Sequence, residues 1–246
     1  VCFLFFLMFA GKIFQNVDAG EVICIQSPVT GKLTWHTSAG VKWQGFGKVT
    51  QYDKLQTYEF KVQIRFNDGG HGTLNGSLNY EIPLSPEALT NIHIKYGSQE
   101  AIQKQIVETV TNKCVYMTGP LMSSKESYAE KRTSLIHFIE DQIENGVYKT
   151  TQKEVKTKDS ITGIEKTVTV VEIVKNAEGV LERQEEAVLR SLGIRTSNFA
   201  VTGLPYDEAV EQQIQQQQSL TMKVQTAMAS AKEAEQRAIT VAKEGE

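Results

Sequence analysis

Apolar residues are distributed along this chain in three ways, and each predicts a different kind of structure. Val1 to Ala10 are all apolar. From Val22 to about Leu204 apolar positions recur with period two or close to four. From Tyr206 onward they thin to a single stripe on a polar background.

The middle region reads as strands followed by helices. Val22–Gln26 is a strand ended by Ser27-Pro28. Lys32–His36 alternates through Leu33 and Trp35, and Ala39-Gly40 reads as a turn. Val41, Trp43 and Phe46 continue in a glycine-broken segment. Val49–Asp53 is strand-like, and Thr57–Phe66 alternates cleanly at Tyr58, Phe60, Val62, Ile64 and Phe66. Asn67-Asp68-Gly69-Gly70 is a strong hairpin signal, with Leu74–Ile82 as the return strand. Ser85-Pro86-Glu87 opens a short helix ending near Gly97, with Ser as cap and Pro in the first turn. Ser98 caps another, with Ile102, Ile106, Val110 and Cys114 every fourth residue. Ser123-x-x-Glu126 is a capping box, predicting a helix that buries Tyr128, Leu135, Ile139 and Ile143 and stops at Asn145-Gly146. A polar strand pair follows, about Val147–Lys158 and Lys166–Lys175, joined around Thr162-Gly163. Leu181–Leu192 reads as a short helix, Ile194–Leu204 as a last strand, and Pro205 leads into the final helix.

The N-terminal stretch contains Phe3, Leu4, Phe5, Phe6, Leu7, Met8 and Phe9, a liability on any soluble surface. Fourteen helical residues to Phe14 reach only about 21 Å, against a bilayer core of about 30 Å. The sequence begins at Val1 rather than Met, so the expectation is a membrane helix cut at its N-terminus. A signal-peptide core competes with it, although Phe9-Ala10-Gly11 is a poor cleavage site. A buried core segment is the third reading. Lys12 is the one flanking charge, and one charge does not set orientation.

The C-terminal region has neither Gly nor Pro from Tyr206 to Lys243 and is rich in Gln, Ala, Glu and Lys. Leu220, Val224, Ala227, Ala231, Ala234, Ala238 and Val241 alternate spacings of four and three, a heptad seam. Lys232, Glu233, Glu235, Arg237 and Lys243 lie off it. An alanine seam buries little area but permits close approach, which suits helices held side by side. The expectation is a coiled-coil-like stalk that makes the oligomer and still runs at Glu246.

Composition narrows the chemistry. The 246 residues carry 26 basic and 29 acidic side chains, a net charge of −3, so no basic stripe marks a nucleic-acid binder. Cys2, Cys24 and Cys114 make neither a disulfide framework nor a zinc site. His36, His71, His93 and His137 show no ligand spacing. His71, within Asp68-Gly-Gly-His-Gly72, reads as a hairpin tip rather than an anion nest. No nucleophile elbow or phosphate loop is present in the sequence. The expectation is a non-enzymatic protein without metal or cofactor.

These residues resemble the SPFH, or band 7, superfamily of stomatins, prohibitins and flotillins, from about Val17 to the end. The resemblance runs through Val17-Asp18-Ala19-Gly20-Glu21-Val22, Gly31, Ala39-Gly40-Val41 (a corner lacking the family's proline) and Tyr52-Asp53-Lys54-Leu55-Gln56. It continues through Gly76–Ile82, Leu89, Tyr96-Gly97, Leu192-Gly193-Ile194 and Leu204-Pro205. One departure stands out. Gly146-Val147 and Leu192-Gly193-Ile194 both look like the family's junction between helix and last strand, and about 45 residues separate them.

The layout is then an anchor (1–16), an α+β domain (17–204) with a hairpin insertion near 149–190, and a stalk (205–246). The resemblance implies a membrane scaffold whose copies, alone or with related subunits, assemble into a ring or cage. Such a ring organises a membrane microdomain and encloses partners such as a membrane-bound protease. Two alternatives stay open: a dedicated regulatory subunit of such a protease, and a secreted coiled-coil stem protein.

Overall fold

A computed structural model describes residues 13–158 and 165–244. The fold is α+β, and the chain divides into two units between Pro205 and Tyr206. The first unit opens with β1 (Phe14–Val17), β2 (Glu21–Gln26), β3 (Leu33–His36), β4 (Gly40–Trp43) and β5 (Lys48–Asp53). β2 is the centre of a three-stranded antiparallel sheet, between β3 and β5. That explains its unbroken apolar run: Val22, Ile23, Cys24 and Ile25 are all buried, whichever face they occupy. β1 pairs instead with β4 as a separate two-stranded ribbon. Val17 ties this ribbon to the sheet by packing with Ile23 and Ile25, and Val49 closes the cluster. The assignment of residues 1–16 to the anchor is corrected at its end, because Phe14 to Val17 pair with a strand rather than continuing a helix. The turn read at Ala39-Gly40 is likewise the start of β4, where Gly40 adopts φ +110°.

β6 (Leu55–Arg65) and β7 (His71–Glu81) form a long hairpin, extended by β10 (Arg195–Gly203) on the far side of β7. Tyr58, Phe60, Ile64, Leu74, Leu78 and Tyr80 alternate inward. At Gly76 a Cβ would lie 2.3 Å from the Ala200 carbonyl and 2.5 Å from the Phe60 ring, so only glycine lets the strand pass. Phe60 then stacks on Phe199 at 5.5 Å. The hairpin tip is pinned by Asp68, whose carboxylate accepts from the Ser124 amide at 2.8 Å and hydroxyl at 2.6 Å.

Helical segments follow β7: α1 (Pro86–Tyr96), α2 (Gln99–Ile102), α3 (Glu108–Thr118), α4 (Ser124–Tyr128) and α5 (Arg132–Asn145). α3 packs on β6 and α5 on β10, whereas α1 meets β3 and β5 through Thr90 and His93. Ser85 and Ser98 cap α1 and α2 as their sequence predicts. A π turn at Gln103–Val107 joins α2 to α3. It adds one residue per turn, so the buried face moves from Ile102 and Ile106 to Val107, Thr111, Cys114, Val115 and Thr118. Val110, expected inside, is only half-buried. The capping box at Ser123 and Glu126 forms, but its helix stops at Tyr128 and a new one starts at Arg132. Tyr128 is therefore exposed, while Leu135, Ile139, Gln142 and Ile143 form the buried face.

The segment after α5 carries β8 (Thr150–Lys158) and β9 (Glu165–Ile173), paired from Thr150–Ile173 to Lys158–Glu165. The connection read around Thr162-Gly163 lies outside the described residues. The helix expected over Leu181–Leu192 shrinks to α6 (Val188–Ser191). Leu181 to Gln184 are used as a short extended segment instead: Lys149 donates to the Glu182 carbonyl at 2.9 Å and Gln184 to Val147 at 2.8 Å. Gly146 permits this, since a Cβ there would meet the Glu185 carbonyl at 2.2 Å. The second unit is one helix, α7 (Glu208–Glu244), of 37 residues.

Candidate functional site

Among the described residues of the first unit, several buried titratable groups are tied into the packing of the domain. The Tyr52 hydroxyl meets His93 Nδ1 at 2.6 Å, and Trp35 donates to the Thr90 hydroxyl at 2.9 Å. Burial pushes the Tyr52 hydroxyl up to about 12 and lowers His93. Burial also pushes the thiols of Cys24 and Cys114 up to about 11 and about 12. Both thiols therefore stay protonated and unreactive at neutral pH. Among the described residues no group of three or more His, Cys, Asp or Glu side chains could hold a metal ion.

What is unusual lies on the surface. The β1–β4 ribbon pairs Phe14 with Trp43 and Asn16 with Val41, so period-two alternation puts Phe14, Val41 and Trp43 on one face. They are 49%, 68% and 66% exposed, and Phe46 beside them is 55% exposed. Phe14 and Trp43 meet edge to face at 5.3 Å. The ribbon is set by Gln44, whose amide donates to the Ile13 carbonyl at 2.7 Å and whose side chain holds Gly47 at 2.8 Å. Sequence reasoning missed this cluster. Its signal was Val41, Trp43 and Phe46 close together in a glycine-broken segment.

The second surface is on α7. Leu220, Val224, Ala227, Ala231 and Ala234 share one side of the helix by their spacing and are exposed in the single chain, with Leu220 and Val224 at 50% and 46%. The side chains of Ala238 and Val241 lie outside what is described. Met222 and Met228 are exposed as well. The hydroxyls of Thr221, Thr226 and Ser230 bond back to carbonyls one turn earlier, at 2.8, 2.8 and 2.9 Å, so they need no external partner.

A model of the SPFH domain / Band 7 family matches residues 15–243 of the chain. The chain belongs to this family. Comparison with individual curated proteins gives no match. The SPFH match starts inside β1 and ends at the last turn of α7. Proteins of this family are generally membrane scaffolds; they associate with membranes and typically oligomerise. The anchor residues Phe3, Leu4, Phe5, Phe6, Leu7, Met8 and Phe9 lie outside the described residues. Among the described residues no helix is long and apolar enough to cross a membrane.

Proposed function

We propose that this SPFH protein is a non-enzymatic, membrane-anchored scaffold whose copies assemble side by side through α7 into a ring or cage. The observation that carries the reading is the apolar stripe of α7, exposed at Leu220, Val224, Ala227, Ala231 and Ala234 on a helix of 37 residues, or about 55 Å. An isolated polar helix of that length gains little from its own hydrogen bonds in water and is held by packing against neighbours. Alanines at Ala227, Ala231 and Ala234 let helices approach closely, as a coiled-coil seam requires.

The aromatic ribbon supplies the second contact. Phe14 follows the Val1–Ala10 segment, which in this reading is a single-pass anchor. Trp43, Phe46 and Phe14 then sit at headgroup level, where aromatic rings with one apolar side are favoured. The assembly organises a patch of bilayer and surrounds membrane-bound partners, a protease among them.

The test compares Ala231→Glu with Ser230→Glu. Both add one carboxylate at neighbouring positions of similar helix compatibility. On the seam the charge costs about 1–3 kcal/mol in each copy, because it is desolvated without a partner. Mass photometry in detergent is expected to show Ala231→Glu as small species and Ser230→Glu at the parent mass. Loss of mass for Ser230→Glu alone reassigns the seam to another face, and a full-length parent that is monomeric removes the scaffold reading.

A further inference from the structure

Resting on that oligomeric reading, we infer that the β8–β9 hairpin is an inter-subunit element: β9 of one copy pairs along its outer edge with β8 of the next copy. The hairpins then run as one antiparallel sheet around the assembly.

The inference starts from how firmly the hairpin is held and how little of it is used. Its base is locked to α5. Arg183 donates to the Asp141 carboxylate at 2.6 Å and to the Gly146 carbonyl at 2.8 Å, and its guanidinium lies 4.4 Å from the centre of the Tyr148 ring. Lys113 pairs with Glu185 and Lys149 with Glu182. Beyond that base, nine residues pair with nine, and among the described residues neither strand pairs with anything else. Thr151 to Lys156 are exposed without exception.

A two-stranded ribbon of this length is marginal alone in water. The lysines of β8 guard that strand against a chance partner, but neither strand contains Pro, Gly or a break in register, and β9 is rich in Thr and Val. A regular, β-branched edge is a template for a strand whose charge complements it.

The edge's chemistry selects a second copy. β8 carries three lysines and one glutamate, whereas β9 carries two glutamates and one lysine. The two edges have opposite sign, which favours β8 against β9 over like against like. The hairpin also shows the contact that would be repeated. Lys153 lies opposite Val170, yet reaches diagonally to Glu172 at 2.6 Å. In a continued sheet of the same register, Lys153 of each copy meets Glu172 of its neighbour by the same diagonal. The contact is heterologous, so it propagates around a ring rather than stopping at a pair.

The backbone is ready for it. The Val174 amide donates to the Lys149 carbonyl at 2.9 Å, so that pair is bonded. Antiparallel alternation then turns the amides of Thr167, Thr169, Val171 and Ile173 away from β8, toward the outer edge.

Two experiments on the full chain in detergent test this. Thr169→Pro removes an outward amide without removing a bond inside the hairpin. It is expected to lower assembly mass by mass photometry while the thermal transition of the domain stays at the parent value. Separately, copies carrying Gln152→Cys are co-expressed with copies carrying Val171→Cys. The expected result is a disulfide-linked dimer in the mixture and none from either variant alone. A dimer from Val171→Cys alone means β9 pairs with β9 and overturns the head-to-tail arrangement. A parent-mass Thr169→Pro assembly with no cross-link in the mixture overturns the inference and leaves the α7 assembly standing. A monomeric parent removes both readings before either variant is needed.

Discussion

Among the described residues the SPFH domain carries two antiparallel ribbons of two strands each, and they solve the same problem in opposite ways. β1–β4 is four residues long, and its outer face is Phe14, Val41 and Trp43. β8–β9 is nine residues long, and its exposed positions include Lys153, Glu154, Lys156 and Glu172. Neither is stable alone. The short ribbon is held by one apolar knob, Val17, in the first sheet. The long one is held by a polar clamp of Asp141, Tyr148 and Arg183. In the assembly proposed above, the difference assigns each ribbon its outer contact: lipid for the aromatic one, a charged strand for the other. The anchorage differs accordingly: β9 half-buries Val170, Val171 and Ile173, and the polar clamp fixes the ribbon at its base.

The sharpest way to break the comparison is at that base. Tyr148 is fully buried, packs edge to face on Phe138 at 5.8 Å and donates to Asp141. Tyr148→Ala is expected to destabilise the domain by about 3–5 kcal/mol, as for other large aromatic truncations. Deleting Thr151 to Glu172 with a short Gly-Ser bridge is expected to leave the thermal transition close to the parent value. A large fall on deletion would make β8 and β9 part of the core and the contrast with β1–β4 void.

The next test separates the ribbons by solvent. In proteoliposomes containing lipids brominated near the headgroup, Trp43 emission is expected to be largely quenched. Trp35 serves as the internal control, because its indole is held in the domain by Thr90. A tryptophan introduced as Val155→Trp in β8 is expected to keep its emission. Quenching there, or none at Trp43, would exchange the roles assigned to the two ribbons.

The sequence made the period-two strands, the serine caps and the long helix readable because each is written in neighbouring residues. The alternation from Tyr58 to Phe66 and the caps at Ser85 and Ser98 needed no tertiary knowledge. What was not readable depends on distant partners. Nothing local says that Gln103–Val107 takes a π turn, so Val110 was placed inside. Residues 181–187 have helix-compatible side chains, but Val147 and Lys149 recruit them as an extended neighbour. The aromatic ribbon was hidden because Phe14 and Trp43 are 29 positions apart and meet only through strand pairing. The α7 stripe was visible as spacing alone.

A smaller effect is expected from acid. Burial pushes the Asp141 carboxyl up, but hydrogen bonds from Tyr148, Asn145 and Arg183, together with the guanidinium charge, outweigh it and hold the group below the usual carboxylate range. Its folded value is therefore depressed relative to the unfolded chain. The stability it contributes is fully present above the ordinary aspartate range, about pH 4, and is lost as pH falls through the folded value. Melting temperature followed from pH 6 downward is expected to drop more steeply for the parent than for Asp141→Asn below about pH 4. Parallel curves would mean that the clamp does not hold the long ribbon through this carboxylate. The Glu126 carboxyl is depressed too, burial being outweighed by Lys131 and Ser123, so part of the acid sensitivity survives the substitution.

The smallest effect is the one that separates folding from assembly. Lys153 and Glu172 are bonded at 2.6 Å, but their side chains are 60% and 45% exposed. Exposed pairs of this kind contribute about 0–1 kcal/mol, because solvent screens the attraction and two long side chains lose freedom. Lys153→Ala is therefore expected to leave the thermal transition of the domain within a degree or two of the parent, about 0.5 kcal/mol or less. In a continued sheet the same lysine would face a glutamate on either side, and the pair is repeated at every junction between copies. Assembly mass in low salt is then expected to fall for Lys153→Ala, while the parent loses mass only as salt is raised. Charge reversal at both positions, Lys153→Glu with Glu172→Lys, restores the pairing and is expected to restore the mass. If the reversed variant assembles no better than Lys153→Ala, the charges on the long ribbon face water alone, and its difference from the aromatic ribbon is one of solubility rather than of partner.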